Sequence, residues 1–412
     1  MGREIAWNLL RHGYEAVART RAAAGGGAWF EARLLGRRAL VVCGEEGART
    51  FYDPSLVTRR GAIPAPLRLL LFGRGAVHGL DGERHRQRKQ LFLDVVDRES
   101  TERLAREVSD TLLRRMATWD GQDRVHLYDA LVEVYGAAVL RWAGIDVDAE
   151  QERRTSHDLA TIVDAFGVRG TSYLRGYLAR HRADRWARRL VREERARDRP
   201  TTSTVLGRVA AERSLSDAVA AVELLNVLRP TVAVAYFGAF AAHALELRPD
   251  WRDRCAAGDP ADMRAFGHEV RRLYPFVPLL PGRLLRRLVW QGRSLPRGSF
   301  VVLDVQGTNR DPARWDRPEQ FDPARFVGRE PGAFDYVPQG GGDPAHGHRC
   351  PGEPLAVGIL EVTVRELART SFRLEPDSRA VPLRRVPSLP AHGVERRDVR
   401  RRVRLGVVRG AE

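Results

Sequence analysis

Cys350 lies between a glycine-rich bend, which contains glycines 340–342, and a predicted helix. Pro351 suits the first position of that helix, because its missing N–H group would have no partner there anyway. Glu353 falls in the first turn, where the helix dipole favours negative charge, and the same dipole favours a thiolate at position 350. A single thiolate on a rigid loop is a soft ligand that can bind a metal through sulfur.

A second informative pair, Arg229 and Pro230, lies inside a long apolar stretch. Proline inside a helix removes a backbone hydrogen bond and costs roughly 3 kcal/mol. An arginine among apolar neighbours is costly unless it is paired. Two costly residues together favour a functional site. The plainer alternative is a kinked helix whose arginine reaches outward to solvent.

The cysteine segment resembles the cysteine pocket of the cytochrome P-450 haem-thiolate proteins. Its longer Gln-Gly-Gly-Gly bend resembles a narrower branch, the bacterial fatty-acid peroxygenases. Two other interpretations exist. A free cysteine is often a small buried hydrophobe, and His346, His348 and Cys350 alternate in a way that zinc sites also show. A structural zinc site needs four ligands, and the two remaining cysteines stand apart from any cluster, which disfavours zinc.

The resemblance implies haem b as the cofactor, with Cys350 as the axial ligand of its iron. Haem carries two propionates, which need cationic partners. The resemblance assigns these contacts to Arg59, His85, Lys89 and His348. His85 and Lys89 are one turn apart at the start of a predicted helix, and Lys89 is the only lysine among 69 basic residues. Without the other motifs, these two residues indicate no more than a basic helix start.

In oxygen-using cytochromes P-450, the place of Arg229 and Pro230 resembles an acid–alcohol pair that relays protons. This chain lacks that pair, and Arg-Pro is the signature of the fatty-acid peroxygenases. A buried guanidinium can hold a carboxylate through two charge-assisted hydrogen bonds. The resemblance implies that Arg229 anchors the substrate carboxylate and that Pro230 shapes the helix. The carboxylate then acts as general acid–base toward hydrogen peroxide, the co-substrate, which typically contributes about 10²–10⁴-fold.

The resemblance also implies an apolar channel for the acyl chain, although each of its residues is equally consistent with ordinary core. Burying about ten methylene groups would contribute roughly 8 kcal/mol before entropy costs. The expected lining consists of Phe72, Val163, Phe166, Phe276, Val277 and Leu279. Leu279 replaces an expected phenylalanine, which leaves the preferred chain length open.

His78 matches a position above the haem that is histidine in the alkene-forming member of the branch. Histidine can orient or protonate a group near neutral pH. The resemblance therefore favours oxidative decarboxylation to a terminal alkene slightly over hydroxylation at the α or β carbon.

Hydrophobic periodicity predicts a mainly α protein with small peripheral sheets, and the resemblance implies a cytochrome P-450 fold in one domain over residues 1–412. Strands are predicted at 28–34, 38–43, 288–291 and 299–305, and helices at 45–52, most of 84–247, 261–273 and 353–370. Glu269 and Arg272 share a helix face and can pair. The resemblance adds Arg325, to make a buried triad that braces the cysteine loop.

The net charge of +16 raises the question of nucleic acid, but the basic residues are spread along the chain and mixed with acids, which is typical of solvated helix faces. By inspection, no apolar run approaches the roughly 20 residues of a membrane span, so we expect no integral membrane segment. The charged first residues lack a signal-peptide core, and three scattered cysteines argue against disulfides. We expect a cytoplasmic protein without a nucleic-acid partner.

Three other functions stay open at this point. One is a conventional monooxygenase that uses O₂ and redox partners, which the missing acid–alcohol pair disfavours. Another is a haem sensor or carrier without turnover, which has no need of an arginine buried above the iron. A nucleic-acid binder has only the net charge in its favour. We therefore expect a fatty-acid peroxygenase that works without a redox partner.

Overall fold

The structure is a computed structural model that describes residues 4–119, 122, 125–167, 170–197, 201–374 and 380–390 in full, and the backbone of 396–401. Helices dominate these residues, as predicted. Those that precede the central apolar segment are α1 (Ile5–His12), α2 (Glu15–Ala23), α3 (Gly44–Tyr52), α4 (Ala65–Leu71), α5 (Gly82–Leu93), α6 (Arg98–Ala117), α7 (Leu127–Trp142), α8 (Ala149–Asp164), α9 (Thr171–Arg195) and α10 (Val205–Ala211).

The remaining helices build the apolar centre and the cysteine side of the protein. They are α11 (Asp217–Ala233), α12 (Ala235–Leu247), α13 (Pro249–Ala257), α14 (Pro260–Leu273), α15 (Val305–Asn309) and α16 (Glu353–Ala368). Two short 3₁₀ helices, Val77–Gly79 and Pro323–Phe326, lie in the connecting segments. Helices α6, α7, α11, α12, α14 and α16 all contribute to one large apolar core.

The sheets lie at the edge of the helical body. The strands are β1 (Trp29–Leu34), β2 (Arg37–Val42), β3 (Val57–Thr58), β4 (Leu279–Leu284), β5 (Leu288–Trp290), β6 (Arg293–Leu295), β7 (Phe300–Asp304), β8 (Thr370–Leu374) and β9 (Arg396–Arg401). The largest sheet has the order β1-β2-β7-β4-β3, with β2 and β7 parallel and the other pairs antiparallel.

Sequence patterns located β1, β2, β5 and β7 but missed β3, β4 and β6. Pro281 and Gly282 lie inside β4, and both residues are normally depleted within strands. The strand forms because its backbone pairs with the fully buried strand β7, where Leu280 lies opposite Leu303 and Gly282 opposite Val301.

Helix α11 is the central helix of the site. It begins after Ser216, whose side chain accepts the Val219 N–H, and it is buried on every side from 220 to 233 except at Pro230. Because Pro230 has no N–H, the helix loses one backbone bond, and it breaks at Val234 before α12 begins. Pro230 is thus the exposed residue in an otherwise buried stretch of α11.

The combined segment Asp217–Leu247 is long and apolar enough to cross a membrane by length and composition. The sequence expectation that no run reached this length was wrong, because few charged residues interrupt the segment. In the structure, 83% of its most apolar stretch is buried inside the protein. This is the burial of a core helix.

Candidate active site

The cysteine loop is a tight bend that presents the Cys350 sulfur just before α16. The Cys350 N–H donates to the Gln339 carbonyl at 3.0 Å. Gly340 has a φ of 97°, and a Cβ there would lie 2.9 Å from the Tyr52 hydroxyl, so this position requires glycine. Burial raises the pKa of the Cys350 thiol, and a backbone N–H and the charge of Lys89 oppose that rise. A metal ion at the sulfur would complete the stabilisation of the thiolate.

A buried triad holds the segment that leads into this loop. Arg272 donates to Glu269 from Nε at 2.7 Å and from Nη2 at 2.8 Å, and both side chains are fully buried. Arg325 Nε approaches the same carboxylate at 3.3 Å. Arg272 also donates to carbonyl oxygens of residues 309, 318 and 320. The triad that the resemblance implied is therefore present, and it ties α14 to the chain that precedes the cysteine.

A second ion-pair group was missed from the sequence, where Glu353 was considered only as a first-turn acid. Its carboxylate pairs with Arg271 and accepts from Arg349 Nε at 2.7 Å. Burial acts to raise the pKa of Glu353, but the two guanidiniums lower it overall. Because Arg349 precedes Cys350, this group fixes the backbone beside the sulfur. The spacing of Arg349 and Glu353, one helical turn, was the available signal.

Three of the four residues assigned to the propionates form one cluster. The rings of His85 and His348 lie 4.1 Å apart. The backbone N–H of Arg59 donates to Asp81 Oδ1 at 3.2 Å, and His348 Nε2 lies 3.2 Å from the same oxygen. Burial lowers the pKa of His85 to about 3, and the charge of His348 adds to this effect. Asp81 was not predicted as a partner of this cluster.

The basic cluster fits the acidic edge of haem. Arg59 Nη1 is buried and has no hydrogen-bond partner, and burial lowers the pKa of Arg59 to about 10. A buried cationic donor without a partner is costly, and a carboxylate would satisfy it. The two propionates of haem b are such groups, and Cys350 offers the soft sulfur that its iron takes. The described residues therefore suit haem at both the metal and the propionates.

Lys89, the fourth residue of the assigned set, acts by its charge on His85 and His348 and also reaches the cysteine loop. It is 2% exposed, and its Nζ donates to the carbonyl oxygens of Gly347 and Arg349, the latter at 2.8 Å. Burial lowers its pKa to about 8. Lys89 thus connects α5 directly to the cysteine loop, a contact that the sequence did not suggest.

Arg229 is buried on α11 without a counter-ion. It is 4% exposed, its Nη1 has no partner, and no ion pair of its guanidinium occurs among the described residues. Burial, and then the charge of Arg180, lowers the pKa of Arg229 to about 9. The guanidinium carbon lies 5.5 Å from the ring centre of Phe72. A carboxylate that entered this place would pair with Arg229 and remove the penalty of its burial.

His78 lies on the short helix Val77–Gly79, with its ring stacked on Phe72 at a centre-to-centre distance of 4.0 Å. Burial lowers the pKa of His78 to about 3, and the charge of Arg229 is the next cause, followed by those of His348 and His85. The imidazole is therefore neutral at pH 7. Its Nδ1 atom is buried without a partner. His78 lies within electrostatic reach of both Arg229 and the basic cluster.

The residues expected to line the acyl channel come from the end of α8, from the segments that follow α4 and α8, and from β4 and the segment that precedes it. Phe276 lies beside the central helix, with its ring 5.1 Å from that of Phe237, and Val163 is buried near the end of α8. Val277 and Leu279 pack toward the apolar clusters around the large sheet. Phe166 makes no ring contact with the other described aromatic residues. Two surface cavities, one between α8 and α9 and one beside α5, contain none of these residues.

A buried polar group next to these residues escaped sequence reasoning. Asp164 Oδ1 accepts from the hydroxyl of Tyr128 at 2.7 Å and from that of Tyr236. Burial raises the pKa of Asp164. The Tyr236 ring lies 5.3 Å from Phe276, so this polar group adjoins the expected channel wall. Its residues are far apart in sequence, and no local pattern connects them.

Comparison with known proteins agrees with this site. The family described as "Cytochrome P450" matches residues 263–389, which contain the triad and the cysteine loop. One curated relative, cytochrome P450 4A7 of Oryctolagus cuniculus, is 36% identical over 117 residues, which are 28% of this chain and 22% of that relative. Another, cytochrome P450 26C1 of Mus musculus, is 26% identical over 84% of this chain and 76% of its own length.

Three solved structures cover nearly the whole chain. A variant of cytochrome P450SP alpha (CYP152B1) is 35% identical with a TM-score of 0.92, over 97% of this chain and 99% of its own. Cytochrome P450EX alpha (CYP152N1) with myristic acid is 34% identical with a TM-score of 0.90, over 97% and 98%. Cytochrome P450 OleT in complex with arachidonic acid is 30% identical with a TM-score of 0.92, over 98% of both chains.

The fold and the cysteine site define a haem-thiolate protein. The chain belongs to the cytochrome P450 family, and its similarity to the CYP152 members of that family covers nearly its whole length.

Proposed function

We propose that this protein is a hydrogen-peroxide-dependent peroxygenase that converts fatty acids to terminal alkenes, to α- or β-hydroxy acids, or to both. The observation that carries the proposal is Arg229: a buried guanidinium on α11 without a protein counter-ion among the described residues. The fatty acids bound in the solved structures of P450EX alpha and OleT support this substrate class.

Arg229 has the role of binding and orienting the substrate carboxylate. A guanidinium offers two parallel N–H groups, and a desolvated ion pair of this kind is strong and directional. Glu223, a buried acid on the same helix, does not act as the acid–base group near Arg229, because its oxygens already accept hydrogen bonds from Val77, Arg88 and Asn226. The acid–base group near Arg229 therefore comes from the substrate.

Cys350, Arg59, His85, Lys89 and His348 are the residues that would hold haem, and Lys89 also secures the loop that carries the cysteine. When bound through a thiolate, haem supplies the oxidising chemistry of the reaction with peroxide. Hydroxylation consumes one peroxide and releases one water. Decarboxylation consumes one peroxide and releases carbon dioxide and two waters, with a carbon–carbon double bond formed at the chain end.

His78 is the group proposed to influence which product forms. As a neutral imidazole beside the Arg229 charge, it can accept or donate one hydrogen bond at the substrate carboxylate. A firmly held carboxylate favours loss of carbon dioxide, whereas a mobile one leaves time for hydroxyl transfer to carbon. The acyl chain is proposed to lie against Phe72, Val163, Phe166, Phe276, Val277 and Leu279.

The wider setting is also a proposal. The chain would work as one haem domain over residues 1–412, as a cytoplasmic protein without a redox partner. A conventional monooxygenase would need a distal hydroxyl for proton relay. The hydroxyl nearest in sequence to the Arg-Pro pair, that of Thr231, donates to the Val227 carbonyl at 3.0 Å instead.

The test is to incubate the haem-loaded protein with hydrogen peroxide and a series of fatty acids, without reductase, and to identify products by mass spectrometry. We expect alkenes and hydroxy acids from the native protein and none from Arg229→Ala, with the haem spectrum retained in both. Thr231→Val is the matched control on the same helix and should retain turnover. Unchanged turnover in Arg229→Ala would refute the proposal, and activity only with O₂ and a reductase would favour the monooxygenase. A substrate-induced spectral shift without any product would favour the carrier.

A further inference from the structure

The segment between α4 and the helix Val77–Gly79 crosses one face of α11 at close range. A Cβ on Gly75 would lie 3.2 Å from Val219 Cγ2, and one on Gly73 would lie 2.9 Å from Val222 Cγ2. Both glycines have positive φ, at 78° and 88°. This close approach holds the segment against α11, and the segment carries Phe72 at one end and His78 at the other.

Two buried polar side chains of α11 attach both ends of this segment. Glu223 is fully buried, and its Oε1 accepts the Val77 N–H at 2.9 Å. Its Oε2 accepts from Asn226 Nδ2 at 3.0 Å. The same Nδ2 donates to the Phe72 carbonyl at 3.1 Å. The backbone beside His78 and the backbone of its stacking partner are therefore held by adjacent groups on one helix.

An arginine from α5 completes this network. Arg88 Nη1 donates to Glu223 Oε1 at 2.7 Å and to the Gly75 carbonyl at 3.3 Å. The ion pair balances the charge of a carboxylate that is otherwise removed from water. Because Arg88 adjoins Lys89 on α5, Glu223 connects the helix of the basic cluster with the helix that carries Arg229.

The spacing along α11 explains why this network bears on the reaction. Val219, Val222, Glu223 and Asn226 follow one another at intervals of three, one and three residues, and so form one helix face. Arg229 is three residues further along the same face. The Arg229 guanidinium and the His78 backbone are consequently positioned from a single rigid element. A shift of about 1 Å between such groups can change a rate by about a hundredfold.

We propose that Glu223 and Asn226 are positioning residues that fix His78 relative to Arg229 and thereby set the ratio of alkene to hydroxy acid. This inference rests on the proposed function. Both residues are proposed to act indirectly, Glu223 through the Val77 N–H and Asn226 through the Phe72 carbonyl. The charge of Glu223 is balanced by Arg88. Both of its oxygens already accept hydrogen bonds from protein donors, so we assign it no proton transfer at the substrate.

The test uses Glu223→Gln, which keeps the shape but removes the charge that holds Arg88. We expect the product ratio to change by about threefold or more. We also expect the Val77 amide to exchange with deuterium about tenfold faster, because its acceptor is weakened. The matched control is Glu194→Gln, which alters another buried acid, a residue of α9 that pairs with Arg197 just beyond the end of that helix. The control should leave both the ratio and the Val77 exchange unchanged.

Asn226→Ala is the second variant, because it frees the Phe72 carbonyl but leaves the contact between Glu223 and Val77. It should shift the product ratio in the same direction as Glu223→Gln while the Val77 exchange stays as in the native protein. A native ratio in both variants would overturn the inference even if their thermal stability falls, since a purely structural role lowers stability alone. If the native protein forms no product with peroxide, the proposed function fails, and unchanged Val77 exchange in Glu223→Gln separately rejects the positioning contact.

Discussion

His78 and Phe72 stack almost face to face, with ring centres 4.0 Å apart and planes inclined by 19°. The other polar group of the proposed site, the Arg229 guanidinium, lies 5.5 Å from the same Phe72 ring. One aromatic side chain thus contacts both the residue proposed to bind the carboxylate and the residue proposed to influence the product.

Replacing Phe72 by alanine should weaken both contacts. Aromatic contacts of this kind contribute about 0.5–1.5 kcal/mol each beyond area burial, so we expect the fatty-acid concentration for half-maximal rate to rise roughly twofold to tenfold. Steady-state kinetics over a fatty-acid series measures this change. Phe321→Ala, which alters a ring packed on Phe266, is the control and should leave that concentration unchanged. An unaltered value in Phe72→Ala would remove this ring from the substrate site.

Replacing Arg229 by lysine keeps a positive charge but loses the planar fork. Because a lysine cannot form two parallel hydrogen bonds to one carboxylate, kcat/KM with peroxide should fall roughly tenfold or more. The loss should be smaller for Arg229→Lys than for Arg229→Ala. Equal activity of the lysine variant and the native protein would mean that charge alone suffices.

Replacing Glu269 by glutamine should destabilise the protein strongly. The change leaves Arg272 fully buried without its charge partner, and loss of one member of a buried pair typically costs about 3–5 kcal/mol. Denaturant unfolding measures the difference, and haem should dissociate more readily because the triad braces the cysteine loop. Glu102→Gln, in the exposed pair with Arg98, should change stability by no more than about 0.5 kcal/mol.

Replacing Pro230 by alanine should restore the missing N–H of α11. The helix then gains a hydrogen bond worth up to about 3 kcal/mol with relief of the ring clash, and loses up to about 1 kcal/mol because the unfolded chain becomes more flexible. We expect a net stabilisation of roughly 2 kcal/mol together with lower peroxide turnover, since the loss of proline changes the backbone next to Arg229. A variant that is more stable and equally active would assign Pro230 no part in the reaction.

His268 should make the protein less stable in acid. Burial, and then the charge of Arg271, lowers the pKa of His268 to about 3, below the value of about 6.5 in an unfolded chain. Between these two values the unfolded state binds the extra proton, so stability falls as pH decreases, by about 1.4 kcal/mol per pH unit. His268→Gln should remove this one contribution and make the slope between pH 6 and about 3 shallower by up to about 1.4 kcal/mol per pH unit, because His78 and His85, whose pKa values are also lowered to about 3, keep theirs. The control, His181→Gln on the exposed side of α9, should keep the native slope.

The sequence predicted the residues that local rules control. The helix spacing of Glu269 and Arg272 and the Arg-Pro interruption of an apolar segment are local signals, and both lie where they were expected. The fold class follows from periodicity and is confirmed by the solved relatives. By contrast, the roles assigned to Arg229, His78 and the acyl-channel residues stay predictions until the variants are measured.

Long-range contacts could not be predicted in the same way. Glu223 meets Val77 across 146 residues, and Tyr236 meets Asp164 across 72 residues. Such pairs depend on how the helices pack, and a single sequence does not encode their register locally. Strand β4 was missed for a related reason, because pairing with the buried β7 outweighs the low strand propensity of Pro281 and Gly282.

The contact between Lys89 and the cysteine loop has a practical consequence. The sequence contains one side-chain amine, and that amine is covered and bonded to two carbonyl groups of the loop. Reagents that acylate lysine will find no other lysine to modify. Their rate of reaction therefore reports how often the loop separates from α5, and mass spectrometry of one peptide can follow the opening of the thiolate pocket.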